Sequence, residues 1–445
     1  MEKKIRESQV VALWESTIRG GSLLTTVDAR TVNVIYPGRS GGAPGADFQD
    51  AVIAIDGNVA KGSIEVHVHA TDWRTHGHHR DAAYNGVVLH VVLEDDSRVP
   101  TALENGWNIP VVALGPVLPH VVAVADTDAC VSPPCRTTPF DIGVNTFITA
   151  LEQAGEKRFR EKVTGFEKEL ETGSPAQVFY RGIMGALGYT RNTVPFQKLA
   201  QKLPLDALGE IARQKGEESG VVPHLEAILL GSAGFLPSQR QTGGNAGYLA
   251  PWVETLEDIW RSGGYVPVLS VRDWCLFRLR PANHPVRRVA GMARLLHRYR
   301  SVGLSESLLA LVERAPPQKT TRFIEEGLMV DADGYWRDHF DFGRNGFSPH
   351  LIGEARAVEI ALNVLLPLAT ALSQSAGNAE MAEKCQGLYS ELPAGVENAI
   401  ERHMRLQFGL KSGQVATACR RQGLLHLYKR YCTQGRCGEC PVRKF

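Results

Sequence analysis

The chain has 445 residues, 43% of them hydrophobic and 22% charged, with a net charge of +1. That length supports two or three domains with sizeable cores, and the balance excludes a disordered or fibrous chain. Eight cysteines are too few for a disulfide scaffold, and the start "MEKKIRESQV" lacks the apolar run of a signal peptide.

In chain order, "RESQVVALWESTI" (6–18) has apolar residues at helical spacing and predicts a helix. The period then changes to two. "TVNVIY" (31–36), "DAVIAI" (50–55), "SIEVHVHA" (63–70) and "GVVLHVVLE" (86–94) read as strands separated by Gly/Pro/Asp/Asn clusters, with a short helix at "HRDAAYN" and a possible fifth strand at "IPVVALG" (109–115). The longest apolar stretch, "VVALGPVLPHVVAVA", is broken by Gly, Pro and His, and it falls short of the roughly 20 residues that a bilayer span needs. The expectation is a cytoplasmic protein with no membrane segment. Beyond 145 the pattern is helical, with candidates at 147–171, 176–188, 196–213, 254–262, 285–299, 303–314, 353–373, 378–391 and 395–407. The organisation predicted is an α/β domain (1–145) of order helix, three strands, helix, strand; a mainly α-helical domain (146–410); and a basic, cysteine-rich segment (411–445).

Six of the fourteen histidines fall within residues 62–92. Alternation along "SIEVHVHA" puts Glu65, His67 and His69 on one face and Ile64, Val66 and Val68 on the other. The apolar face packs inward, leaving a carboxylate and two imidazoles lining a cleft or surface. Asp47 in "GADFQD" precedes the strand before and stands beside Glu65 if the two strands pair. Two carboxylates from neighbouring strands suit Mg²⁺ or Mn²⁺, since hard cations take oxygen ligands, and such an ion supports phosphodiester hydrolysis. His78, Asp81, Tyr84 and Asn85 follow at helical intervals and could form one polar face. His90 alternates with Val88 and Val92 and reads as a hydrogen-bonded core or cleft residue. A zinc site from His76, His78 and His79 is the alternative, without HExxH spacing to support it.

Asp47 in "GADF" followed by "IEVH", on this order of elements, resembles the PD-(D/E)XK nuclease superfamily. The resemblance covers residues 6–115 and implies a restriction-endonuclease-like core, with Asp47 and Glu65 binding metal and a catalytic role for His67, His78 and Asp81. Ala46 stands where the pattern has Pro, and His67 where it has the Lys that orients water or stabilises the transition state; Glu15 matches an occasional extra acid. The whole chain also resembles a bacterial family described as a domain of unknown function, through "GSIEVHVHATDWRTHGHHRDAAYNGVVLHVV", "RLRPANHPVRRVAGMARLL" and the terminal cysteine segment. That resemblance implies a shared fold and carries no activity.

The C-terminus places Cys419, Cys432, Cys437 and Cys440 in a short basic segment, a donor set for a four-iron–four-sulfur cluster or Zn²⁺. "CGECPV" resembles the cluster loop of iron–sulfur DNA glycosylases, which implies a structural role for the centre. Residues 272–300 hold eight Arg against one Asp, and 401–445 hold ten Lys/Arg against two Glu. Such basic segments suit a phosphate-tracking surface, with Arg287, Arg288, Arg294, Arg420, Arg421, Lys429 and Arg430 as candidate contacts. Cys130 and Cys135 have no evident partner, and Cys275 and Cys385 read as ordinary buried thiols. The function expected is a metal-dependent nuclease or nuclease-derived protein acting on nucleic acid, DNA before RNA. The alternatives are a silent nucleic-acid-binding protein of the same fold and a His-metal hydrolase of a small molecule.

Overall fold

The computed structural model describes residues 5–19, 24–40, 45–97, 99–115, 143–214, 220–240, 250–277, 279–316 and 320–443. Cys130 and Cys135 lie outside the described residues. The chain divides into two compact units, one of residues 1–158 with 397–445 and one of residues 159–396. These divisions differ from the expected 145 and 410, because the C-terminal helices pack on the N-terminal sheet.

The first unit opens with helix α1 (Glu7–Arg19) and a mixed sheet. Its strands are β1 (Leu24–Thr25), β2 (Thr31–Tyr36), β3 (Arg39–Ser40), β4 (Phe48–Ile55), β5 (Asn58–His69), β6 (Val87–Glu94) and β7 (Val111–Ala113). The order is β1-β2-β4-β5-β6-β7, with β3 pairing β4. The strands β2, β4 and β5 run antiparallel, and β6 joins β5 in parallel, as β7 joins β6. Where β5 and β6 converge, a Cβ on Gly62 would lie 2.4 Å from the Gly86 carbonyl oxygen, so only glycine fits. Between β5 and β6 the expected short helix at "HRDAAYN" takes the form of two 3₁₀ turns, His78–Arg80 and Ala82–Tyr84, preceded by one α turn, α2 (Asp72–Thr75). Glycine at 77, with φ of 80°, interrupts helical propagation there.

Alternation along the strands separates the two faces. Ile53, Ile64, Val66, Leu89 and Val91 are buried with Val10 and Trp14 of α1. On the opposite face, Tyr36 and Val52 are buried with Phe147 and Leu151, from the first half of helix α3 (Val144–Leu170), and with Leu424, Leu427 and Tyr428. The last three belong to the helix Ala418–Arg430, an element not among the helices expected from sequence, which end at 407. Thr417 caps it, accepting from the Arg420 amide. The C-terminal helices cover that second face over β2 and β4, and the polar residues Glu65, His67 and His90 hold it over β5 and β6.

The second unit is mainly helical. Two of its stretches, Val221–Gln239 and Glu354–Ser375, are long and apolar enough to cross a membrane, but 72% and 78% of their apolar windows are buried inside the protein, the packing of core helices. At its centre Glu226 is fully buried and accepts from Trp252 Nε1 (3.1 Å), Trp336 Nε1 (2.8 Å) and Arg294 Nε (2.9 Å).

This packing corrects the expected phosphate-contacting helix Pro285–Arg298. Arg287 is buried and donates to the carbonyls of Trp336, His339, Ser348 and His350; Arg288 donates to Leu351 O and Asn283 Oδ1. Arg294 pairs with Glu226 and Asp333. In the first unit Arg420 bonds Glu152 and Arg421 faces Glu401, so only Lys429 and Arg430 of the seven are exposed. A helix rich in arginine at its buried positions is here a structural staple, because guanidinium forks can satisfy several buried carbonyls at once.

Replacing Arg294 tests that reading. Arg294→Ala leaves the Glu226 carboxylate buried without its cation and should cost about 3–5 kcal/mol of stability, measured by urea unfolding. A loss below about 1 kcal/mol would place Arg294 among solvated surface residues.

Candidate metal centre

Side chains converge at the carboxyl end of β5. A register shift in β4, between Phe48 and Ala51 with Asp50 at φ 62°, sets Asp47 across from Glu65. The two residues then lock reciprocally: the Asp47 amide donates to Glu65 Oε2 at 3.0 Å, and the Val66 amide donates to Asp47 Oδ2 at 2.9 Å. Each carboxylate is held by one oxygen. Glu65 Oε1 stands 3.4 Å from His78 Nε2 and 3.7 Å from His67 Nε2.

His67 is 1% exposed. Its Nε2 lies 3.1 Å from His76 Nδ1 and 4.0 Å from Glu7 Oε1, and its Nδ1 lies 2.9 Å from His90 Nε2. His78 stacks on Tyr84 at 3.8 Å between centroids and lies parallel to His67 at 5.2 Å. Its Nε2 is buried with no hydrogen-bond partner, aimed at Glu65. Trp73, 1% exposed, supports the three inner imidazoles: its ring touches His67, His78 and His90, and its Nε1 donates to Ala102 O at 2.9 Å. Glu7 and His76 form the half-exposed side.

Donor atoms of His67, His76 and His78 all lie within 4.8 Å of one another. In a tetrahedral site with metal–nitrogen bonds of about 2.1 Å, donors sit roughly 3.4 Å apart. The 3.1, 3.4 and 3.7 Å separations among these histidines and Glu65 bracket that value. The three imidazoles therefore fit one metal ion, with Glu65 Oε1 beside His67 and His78 as a neighbouring oxygen outside that mutually close group.

Electrostatics agree. Burial, then the neighbouring His78 and His76, pushes His67 down to about 3; burial, then His76, lowers His78 to about 4; and burial, then His67, holds His90 near 3. All three are neutral imidazoles near pH 7, the form that ligates metal. Burial and the adjacent Asp47 raise Glu65 to about 8, and burial raises Asp47. Acids packed this closely call for a cation.

Several expectations change. His67 cannot act as a cationic stand-in for lysine, because burial keeps it neutral. Asp81 is exposed and accepts from the Ala83 amide at 2.9 Å, capping a 3₁₀ turn and taking no place among the donors. His69 shares the face by alternation but sits at the strand end, 3.8 Å from Glu94 and 3.9 Å from Asp96. Asn85 bonds Glu104. Of the alternative zinc triad, His76 and His78 join and His79 does not; His67 takes its place. Glu15 is buried in α1, whereas Glu7, eight residues earlier and roughly 12 Å along the axis, is the acid beside His67. Sequence offered no signal for Glu7 beyond an acidic first turn, a common helix-start feature.

The four cysteines do not gather. Cys419 stands in the first turn of the helix Ala418–Arg430, its thiol on Glu152 O, and Cys432 follows the last turn. Thirteen residues of helix separate them by roughly 20 Å, too far for one zinc ion or cluster. Cys432 and Cys440 lie within the apolar cluster around Tyr36 and Val52.

Fold and donor set together define a two-unit protein whose mixed-sheet unit carries a buried histidine–carboxylate site. The chain belongs to the DUF2851 family, described as protein of unknown function, which it matches over residues 7–398. No curated protein and no solved structure matches it. Every site residue falls inside the matched range, and the cysteine segment lies beyond it.

Trp73→Ala should cost about 3–5 kcal/mol in denaturant unfolding, as for other buried aromatic truncations, and release the His78 ring. A loss under about 1 kcal/mol would mean that the indole does not brace the site.

Proposed function

We propose that this protein is a divalent-metal-dependent hydrolase of phosphodiester bonds in nucleic acid. The observation that carries the reading is the convergence of Glu65, His67 and His78 at one buried point, with Asp47 locked beside Glu65. Further support comes from the order of elements: a helix, three antiparallel strands, a short helical crossover and a parallel fourth strand. That order is similar to the PD-(D/E)XK core, with Asp47, Glu65 and His67 at the positions of its motif.

Bound there, a divalent ion would lower the pKa of water and neutralise charge on the phosphoryl group. The chain's residues divide the remaining work. Glu65 and the histidines hold the ion, and Asp47 fixes Glu65 through the shared backbone. Glu7, half exposed and 3.9 Å from His76, stands where it can take the proton of the attacking water while the phosphorus–oxygen bond to the leaving group breaks.

The internal pairing of Arg287, Arg288, Arg294 and Arg420 favours a second reading, a hydrolase of a small phosphodiester or ester, because it removes most of the expected phosphate-tracking surface. Parallel assays separate the two: single- and double-stranded DNA and RNA against bis(p-nitrophenyl) phosphate and p-nitrophenyl acetate, each with Mn²⁺, Co²⁺, Zn²⁺ or Mg²⁺. Cleavage of a polynucleotide supports the first reading. Turnover of small substrates alone supports the second, and salt-sensitive nucleic-acid binding without turnover would identify a silent relative.

Asp47→Ala and Glu65→Ala should each lower the rate about a hundredfold or more with unchanged circular dichroism. Because His67 is buried and neutral, His67→Lys should be as inactive as His67→Ala. Undiminished cleavage in both carboxylate variants would rule out this site as the source of the activity.

A further inference from the structure

The hydrogen-bond chain behind His67 carries one inference more, and it rests on the metal-site reading above. His67 Nδ1 lies 2.9 Å from His90 Nε2, and His90 Nδ1 lies 3.3 Å from Thr101 Oγ1. All three are buried, with exposures of 1%, 0% and 6%. Thr101 is itself fixed, since its carbonyl accepts from the Ile109 amide at 2.9 Å, and the next residue, Ala102, accepts from Trp73.

Proton bookkeeping along this chain has one solution that leaves His67 Nε2 able to ligate. Nδ1–H of His67 donates to Nε2 of His90, and Nδ1–H of His90 donates to the Thr101 hydroxyl oxygen. The Nε2 lone pair of His67 then faces His76 Nδ1, His78 and Glu65 Oε1. Reversing the tautomers would put a proton on Nε2, where the carboxylates converge, and close the site.

We propose that the centre is a site for a borderline transition ion of the Zn²⁺ or Co²⁺ class, with His67 Nε2, His76 Nδ1, His78 Nε2 and Glu65 Oε1 as ligands, and that His90 and Thr101 are positioning residues that set the His67 tautomer. Imidazole donors favour such ions, whereas Mg²⁺ requires six oxygen-dominated positions and gives up its water reluctantly. In this proposal the expected Mg²⁺ or Mn²⁺ at Asp47 and Glu65 gives way to a nitrogen-rich set to which Glu65 adds one oxygen. Outer partners of this kind tune ligand basicity and orientation and are typically worth about 10–100-fold in metal affinity.

The test uses the full chain, stripped with chelator and titrated with Co²⁺, Zn²⁺ and Mg²⁺ by calorimetry and visible absorption. One Co²⁺ should bind with the intense visible bands of a four-coordinate ion, Zn²⁺ should displace it, and Mg²⁺ should not compete. His78→Ala should abolish the bands. Thr101→Val should weaken Co²⁺ binding about 10–100-fold while Thr101→Ser keeps wild-type affinity. Should Thr101→Val fail to fold, histidine ¹⁵N NMR of the wild type reads the tautomer directly, and a proton on Nε2 of His67 overturns the relay. Equal Mg²⁺ and Co²⁺ affinity, or no Co²⁺ binding, overturns the metal assignment. Ion binding without hydrolysis of any substrate sustains this inference and removes the proposed function, whereas Mg²⁺-dependent cleavage by a chain that binds no Co²⁺ does the reverse.

Discussion

The reciprocal clasp between Asp47 and Glu65 is the constraint from which the candidate site follows. Each carboxylate takes the amide at the other's strand, Asp47 from Val66 and Glu65 from Asp47, so the side chains and the β4–β5 register fix one another. Buried carboxylates normally shed their charge or find a cation. Here two backbone amides meet half the demand and leave Glu65 Oε1 facing the imidazoles. The bulge at Asp50 is part of the same device, since a regular ladder would pair these strands one residue out of step and turn side chains to the other face.

From that clasp the histidines fall into place through ordinary packing. Parallel pairing of β5 with β6 sets Glu65 opposite His90, which brings a second imidazole behind His67. The crossover between these strands is broken into separate turns, with Gly77 at φ 80° between the first and the second. Its turns carry Trp73 under the sheet's polar face and return His76 and His78 over it. Aromatic edges and faces surround the inner imidazoles, so the low dielectric that keeps them neutral also strengthens any ion–ligand interaction made there.

Much of this was legible in sequence. Period-two alternation located β2, β4 and β6 closely, caught the second half of β5 and put Glu65 and His67 on one face, and the Asp47–Glu65 neighbourhood followed from strand order. The helical turns at "HRDAAYN" were legible as such, but not their 3₁₀ form or the earlier turn at Asp72–Thr75, because propensity does not see where Gly77 divides the crossover. Distance in sequence hid Glu7 and Thr101, which reach the site through tertiary packing alone. Clustering of cysteines misled for the opposite reason: nearness in sequence is not nearness in space once a helix separates Cys419 from Cys432. Likewise, counting arginines along Pro285–Arg298 could not reveal that its charged forks point inward to carbonyls, since local composition does not say which face is buried.

In this proposal one ion at one place holds the site together. Crystals of the protein grown with Zn²⁺ and measured on both sides of the zinc absorption edge test it most directly. The prediction is an anomalous peak about 2.1 Å from His67 Nε2, His76 Nδ1 and His78 Nε2, and at similar distance from Glu65 Oε1. A peak elsewhere with none among these residues, or zinc-soaked crystals with no peak at all, would contradict it.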